Sequence, residues 1–278
     1  MAVAAPPRIS DLLNAAERVG LFPSSAFDIF DVVKDPQASS RRIAAAIGRD
    51  PVLTARILKT ANSPFYGRQR RVGTIDEALV VLGLHVVRDL TVSFALVGMS
   101  RTASPAAAAL WRHLLGSGVL ATALTRHVRN VDPAAALVLG ILHDLGELVM
   151  LEVEPKRHAM VLARLGRDDP RVTTAERIIF GIDHAELGAA CILQWGLPPA
   201  YAGIVREHHA AELGPGAPLA AVVQLADAGV SLLDGHVEVG LAAKELSEHA
   251  ANQHVQIRAD HLEQALKNVR TELAALVA

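Results

Sequence analysis

Two residues able to hold a divalent cation, His143 and Asp144, stand side by side in GILHDLGELVML, where an apolar helix runs into a glycine. Adjacent helical residues diverge by about 100°, so both reach one ion beside a helix end without sharing a flat face. Imidazole with carboxylate suits iron, manganese or zinc. A second pair, His208-His209, closes AYAGIVREHHA. His113 lies in the apolar WRHLLGSGV, His184 opens HAELGAACILQW, and Asp227 sits inside VVQLADAGV. Singly, each has an ordinary structural explanation: a half-buried helix histidine, a first-turn residue, a polar face, or imidazoles complementing a helix dipole. Together they run H…HD…H…HH…D along the chain. A site for one or two divalent ions would explain that set, and a metal-free cluster of histidine–aspartate hydrogen bonds competes with it.

The segments that must carry these residues read as helices. Asp50-Pro51 sets a capping carboxylate before a first-turn proline, opening a helix with Leu53, Ile57, Leu58 and Ala61 on one face. Thr74 and Glu77 form a capping box, and Thr173 with Glu176 forms a second. Asp132-Pro133 repeats the cap-and-proline device; Asp183 caps the His184 helix, and Pro198-Pro199 and Pro218 open two more. No segment alternates with period two, so the fold predicted is all-α. The polar, proline-ended SRTASP (100–105) predicts a hinge between two packed helical lobes, and LGPGAP (213–218) a weaker break. The layout expected is a tail over 1–7, an N-terminal lobe over 8–105, a second lobe over 106–235 and two amphipathic helices over 236–278.

Composition narrows the function classes. Of 278 residues, 51 % are hydrophobic and only 4 % aromatic, so the core must be aliphatic and helix-favouring. Cys191 is the single cysteine, which excludes a disulfide framework or a thiolate zinc site within one chain and fits a reducing cytoplasm. No leader pattern or membrane-length apolar run is found, so the expectation is a cytoplasmic protein without a membrane partner. A net charge of −2 argues against nucleic acid as partner. Arg68, Arg70 and Arg71, after ANSPFYG, are weighed as phosphate contacts against a solvated loop, and the charge balance favours the loop. In ANSPFYG itself, Asn62 or Ser63 is expected to satisfy the preceding helix end, and Phe65 or Tyr66 to pack between helices. Phosphate-loop, nucleophile-elbow and HExxH patterns are absent.

The blocks DPVLTARILKTANSPFYG, TIDEALVVLG, LWRHLL, GILHDLGELVML, FGIDHAELGAACILQWGLP and IVREHH together resemble the HDOD family, the HD-related output domains, over roughly residues 20–210. The resemblance implies a second lobe built as an HD-type helical bundle. It implies that His113, His143, Asp144 and Asp227 match the core metal positions of the HD superfamily. His184, His208 and His209 match the additional ligands of its HD-GYP branch. It further implies a signalling or output module, sensing a nucleotide or a protein partner, with a metal-dependent phosphohydrolase or phosphodiesterase as the alternative. Two departures tell against hydrolysis of the HD-GYP kind: Glu147 stands where that branch often has lysine, and HHAAELGPGAP replaces the GYP segment.

Overall fold

The computed structural model describes residues 6–18, 32, 35, 37–48, 51–62, 72–84, 86–87, 90–91, 104–163, 165, 169–194, 197–214 and 217–277. All regular structure among the described residues is helical. The chain divides into two compact units, Glu17–Arg101 and the combination of Met1–Ala16 with Thr102–Ala278.

The smaller unit contains α2 (Ser40–Ile47), α3 (Pro51–Ala61) and α4 (Ile75–Leu82), with α4 packed on the other two. Ile43, Ile47, Leu53, Ile57, Ala61, Leu79 and Leu82 are among its buried apolar side chains. Thr74 Oγ accepts the Glu77 N–H at 3.1 Å, while the Glu77 carboxylate accepts the Gly73 N–H at 2.7 Å, one residue earlier than in the reciprocal form of the box. Asn62 donates to the Leu58 carbonyl and exchanges two hydrogen bonds with the Val72 backbone, each at 2.8 Å, so its amide ties the end of α3 to the residue ten positions on. Ser63, Phe65 and Tyr66, and with them Arg68, Arg70 and Arg71, lie outside the described residues.

The larger unit is built around α5 (Pro105–Leu124), opened by Ser104, whose Oγ accepts the Ala107 N–H at 3.1 Å. Against it pack α6 (Pro133–Leu142), α12 (Pro218–Asp234) and α15 (Ala259–Val277). Between these run α7 (Leu145–Val153), α8 (Pro155–Leu162), α9 (Val172–Phe180), α10 (His184–Gln194) and α11 (Pro199–Arg206). After α12 come α13 (Val239–Glu248) and the short α14 (Asn252–Val255). Leu120, Leu225, Val230, Leu246, Leu262 and Leu266 share one aliphatic cluster, so the helices after residue 236 complete the core of this unit. The tail therefore holds three helices where two were expected.

Residues 1–16 group with the larger unit. Gly181, at φ 77°, ends α9 and lets Pro6 and Pro7 close over it; a Cβ there would lie 3.3 Å from Pro6 Cβ. The leading helix α1 (Ile9–Arg18) then buries Leu12 and Ala16.

Two glycine contacts set the spacing that the rest depends on. A Cβ on Gly140 would stand 2.6 Å from the Ser117 carbonyl and 2.7 Å from Gly118 Cα, so α5 and α6 approach backbone to backbone. A Cβ on Gly146 would run into the His184 carbonyl oxygen and lie 2.7 Å from the Gly188 nitrogen, so α7 and α10 do the same. Interiors this tightly packed have no slack for an added methyl.

Candidate metal centre

The seven residues singled out in the sequence come from five segments of the larger unit. His113 is mid-α5, and His143 and Asp144 form the turn between α6 and α7. His184 is the first residue of α10, His208 and His209 follow α11, and Asp227 is mid-α12. The Gly118–Gly140 contact draws His113 and His143 together, and the Gly146–His184 contact draws His184 toward Asp144. His113, His143, His184, His208 and Asp144 are buried, whereas His209 is exposed at its edge. Asp144, His184, His208 and His209 make one group of donor atoms within 4.8 Å of one another, and His113, His143 and Asp227 make a second.

Asp144 stands between the two. Its Oδ1 lies 3.2 Å from His208 Nε2 and 3.3 Å from His184 Nε2. Its Oδ2 lies 3.3 Å from His143 Nε2 and 3.7 Å from His113 Nε2. Asp227 Oδ1 closes the second group, 3.2 Å from His113 Nε2 and 3.6 Å from His143 Nε2.

The outer ring nitrogens decide what the inner ones are. His143 donates Nδ1–H to the Gly140 carbonyl at 2.8 Å, and His208 donates Nδ1–H to the Val205 carbonyl at 2.6 Å. His184 donates Nδ1–H to Glu176 at 2.7 Å. Carbonyls and carboxylates only accept, so these rings, when neutral, turn Nε2 lone pairs inward. Yet His184 Nε2 and His208 Nε2 are 3.3 Å apart, and His184 and His209 approach to 2.9 Å. His113 and His143 likewise meet Nε2 to Nε2 at 3.2 Å. Between His184 and His208 two lone pairs therefore face each other and repel, and a cation between them removes the repulsion.

Where no metal ion supplies that cation, protons do. Burial alone would push His143 down, but the charge of Asp144 and hydrogen bonds to Asp144 and Asp227 hold it up at about 10. Burial also opposes His184, whose bond to Glu176 and the neighbouring carboxylates hold it up at about 9. Asp227 is the converse: burial would raise it, but His113 and His143 hold it well below the usual carboxylate range. His209 is pushed down to about 4 by lost hydration, then by the charges of His208 and His184. The donor set, its convergence and its proton affinity all fit divalent cations.

Glu176, Glu147 and His158 support the centre through partners that only the fold supplies. Glu176 was expected to cap its own helix, but α9 begins at Val172 with no side-chain cap, and Glu176 instead accepts both the His184 backbone N–H at 3.0 Å and Nδ1–H at 2.7 Å. It thus caps the neighbouring helix and orients a candidate ligand. Glu147 is buried and takes the His158 Nε2 at 3.1 Å. Nothing in the local sequence around Glu176 or His158 separates them from ordinary helix residues. Asp183 does cap α10, accepting the Glu186 N–H at 2.8 Å, and also pairs with Arg177.

A pocket of about 670 Å³ opens on this centre, with Asp144, His184, His209 and Asp227 in its wall. Val172, Ala228, Leu232, Val237 and Leu246 give it apolar surface, and no lysine or arginine lines it among the described residues.

The sequence profile of the HDOD domain matches residues 19–211, more than half of the chain. The chain belongs to the HDOD family. An HDOD domain protein of unknown function from Geobacter sulfurreducens has the same fold, with a TM-score of 0.70 and 25 % identity over 97 % of this chain and 98 % of that one. A Shewanella amazonensis SB2B protein provisionally named a phosphohydrolase superposes with a TM-score of 0.73 at 24 % identity, over 96 % of this chain and 98 % of that one, a likeness of fold. An uncharacterized protein of Treponema pallidum (strain Nichols) is 26 % identical over 81 % of this chain. The chain spans only 45 % of the length of that relative. Among the described residues no helix is long and apolar enough to cross a membrane.

Proposed function

We propose that this HDOD chain is a signal-transduction module whose larger unit holds two divalent ions, iron, manganese or zinc, and senses a nucleotide in the pocket beside them. The observation that carries the reading is the set of inward lone pairs around Asp144, one carboxylate oxygen turned to each group. His113, His143 and Asp227 would hold one ion, His184, His208 and His209 the other, with Asp144 shared. The signalling role is supported by kinship with the MmoQ response regulator of Methylococcus capsulatus, 26 % identical over 88 % of this chain and 99 % of that one, with a TM-score of 0.52. A pocket of about 670 Å³ has the volume of a small-molecule site, which favours a nucleotide over a docked protein there.

A second reading, metal-dependent phosphohydrolase, is favoured by one feature: residues of both groups reach the pocket wall, so a bound phosphoryl oxygen can meet both. Ions at the centre would supply Lewis acidity, acidifying a water and offsetting phosphoryl charge. The chain's own part is to hold the donors in register and keep the inner wall dry. Glu147, engaged by His158, offers no cation to orient a phosphate. The test is manganese-loaded protein titrated with cyclic mononucleotides, cyclic dinucleotides and bis(4-nitrophenyl) phosphate. Saturable binding without turnover is expected. Metal-dependent product release would establish the hydrolase reading, and neither binding nor turnover would refute both.

A further inference from the structure

Most titratable side chains of the pocket already have tasks. Asp144, His184, His209 and Asp227 belong to the centre. Glu147 accepts from His158, and Asp169 is held by Arg171 through bonds of 2.9 and 2.7 Å. Two remain, Glu245 and His249, both on the α13 side of the pocket. Four residues apart, Glu245 in the last turn and His249 at the C-cap, they fall on one face of that helix, with Leu246 and Val237 beside them in the wall.

His249 has a defined polarity. The Ala251 backbone N–H donates to its Nδ1 at 3.2 Å, so the neutral ring carries its proton on Nε2 and can only donate there. Burial pushes His249 below its ordinary value, which keeps that neutral form in place. Glu245, a carboxylate, accepts.

We propose that Glu245 and His249 read the organic part of the pocket's ligand, a nucleotide with a single phosphate whose base presents an N–H to Glu245 and an acceptor to His249 Nε2. This rests on the reading of the centre as a metal site, which takes the phosphate. Beyond the centre the pocket wall offers the Glu245 carboxylate and no lysine or arginine among the described residues, which disfavours further phosphates. The apolar side chains offer a base its flat contact, and the donor–acceptor pair gives it an orientation.

The test uses the manganese-loaded full chain, titrated calorimetrically with guanosine 5′-monophosphate, guanosine 5′-triphosphate and ribose 5-phosphate. Wild type should bind the monophosphate about tenfold or more tightly than ribose 5-phosphate, and more tightly than the triphosphate. His249→Phe and Glu245→Leu should each erase the preference for the base, with ribose 5-phosphate bound as before. A preference that survives both substitutions, or none in wild type, would overturn the proposal. Guanosine alone, titrated into metal-free protein, separates the two readings. Its binding should be lost in His249→Phe whatever the fate of the metal, and no guanosine binding in wild type refutes the α13 assignment by itself.

Discussion

The two donor groups around Asp144 differ in how they are held and in what they face. His113 and Asp227 come from α5 and α12 and His143 from the turn directly after α6, all three helices being centrally packed, and both imidazoles are buried. His184, His208 and His209 come from the ends of α10 and α11; a side-chain carboxylate, Glu176, orients the first, and the last is exposed. The first group is anchored by helix packing and the second by buried hydrogen bonds to Glu176 and the Val205 carbonyl. One half of the centre thus rests on helix–helix packing, while the other depends on a carboxylate-oriented imidazole and on an exposed one, and each half reaches the pocket through at least one residue.

The largest effect is expected where the two halves are joined. Gly146→Ala drives a methyl into the His184 carbonyl, so α7 and α10 must separate, at a cost of about 3 kcal/mol or more. Thermal unfolding should show a large drop in Tm, against Gly203→Ala, which meets nothing within 4 Å, as the matched control. Next, Asp144→Ala should remove both ions, whereas Asp227→Ala should remove one and leave the other, as read by metal per chain. Equal losses in the two variants would dissolve the distinction between the groups.

The pH dependence has a definite sign. His143 and His184, raised to about 10 and 9 in the protonated centre, must release protons before a metal can bind. Raised histidine values stabilise the metal-free protein below about pH 6.5, a contribution lost as pH rises through 9 to 10. Manganese affinity should therefore keep rising to about pH 9, with proton release measurable by calorimetry in buffers of different ionisation enthalpy. A plateau just above pH 7 would show that the carboxylates do not hold these protons. Among point substitutions, Glu176→Gln should weaken one ion by about 10- to 100-fold and spare the other. His209→Ala, at the exposed edge, should have the smallest effect on metal.

Much of this was legible in the sequence because helix caps and ligand types are local signals. Thr74 and Asp183 act where their types and positions predict, whereas Ser104, read as part of a hinge, caps α5; the histidines and aspartates singled out lie within two adjoining groups of donor atoms. What stayed hidden depends on contacts between distant segments. Thr173 with Glu176 has the form of a capping box, but a buried histidine eight residues on outcompetes the helix end for that carboxylate. The pairing of Glu147 with His158, the covering of Gly181 by Pro6 and the tautomer of His249 are likewise set by packing.

On the proposed reading, the imidazoles turned toward Asp144 hold metal ions in place of protons. The most direct test is elemental analysis of the wild-type chain purified without chelator and reconstituted with iron, manganese or zinc, beside the double variant His143→Ala with Asp144→Ala. Two ions per chain in wild type and none in the variant is the result predicted. Sub-stoichiometric metal in reconstituted wild type, with the fold intact, would contradict it and leave a proton-bridged histidine–aspartate cluster in its place.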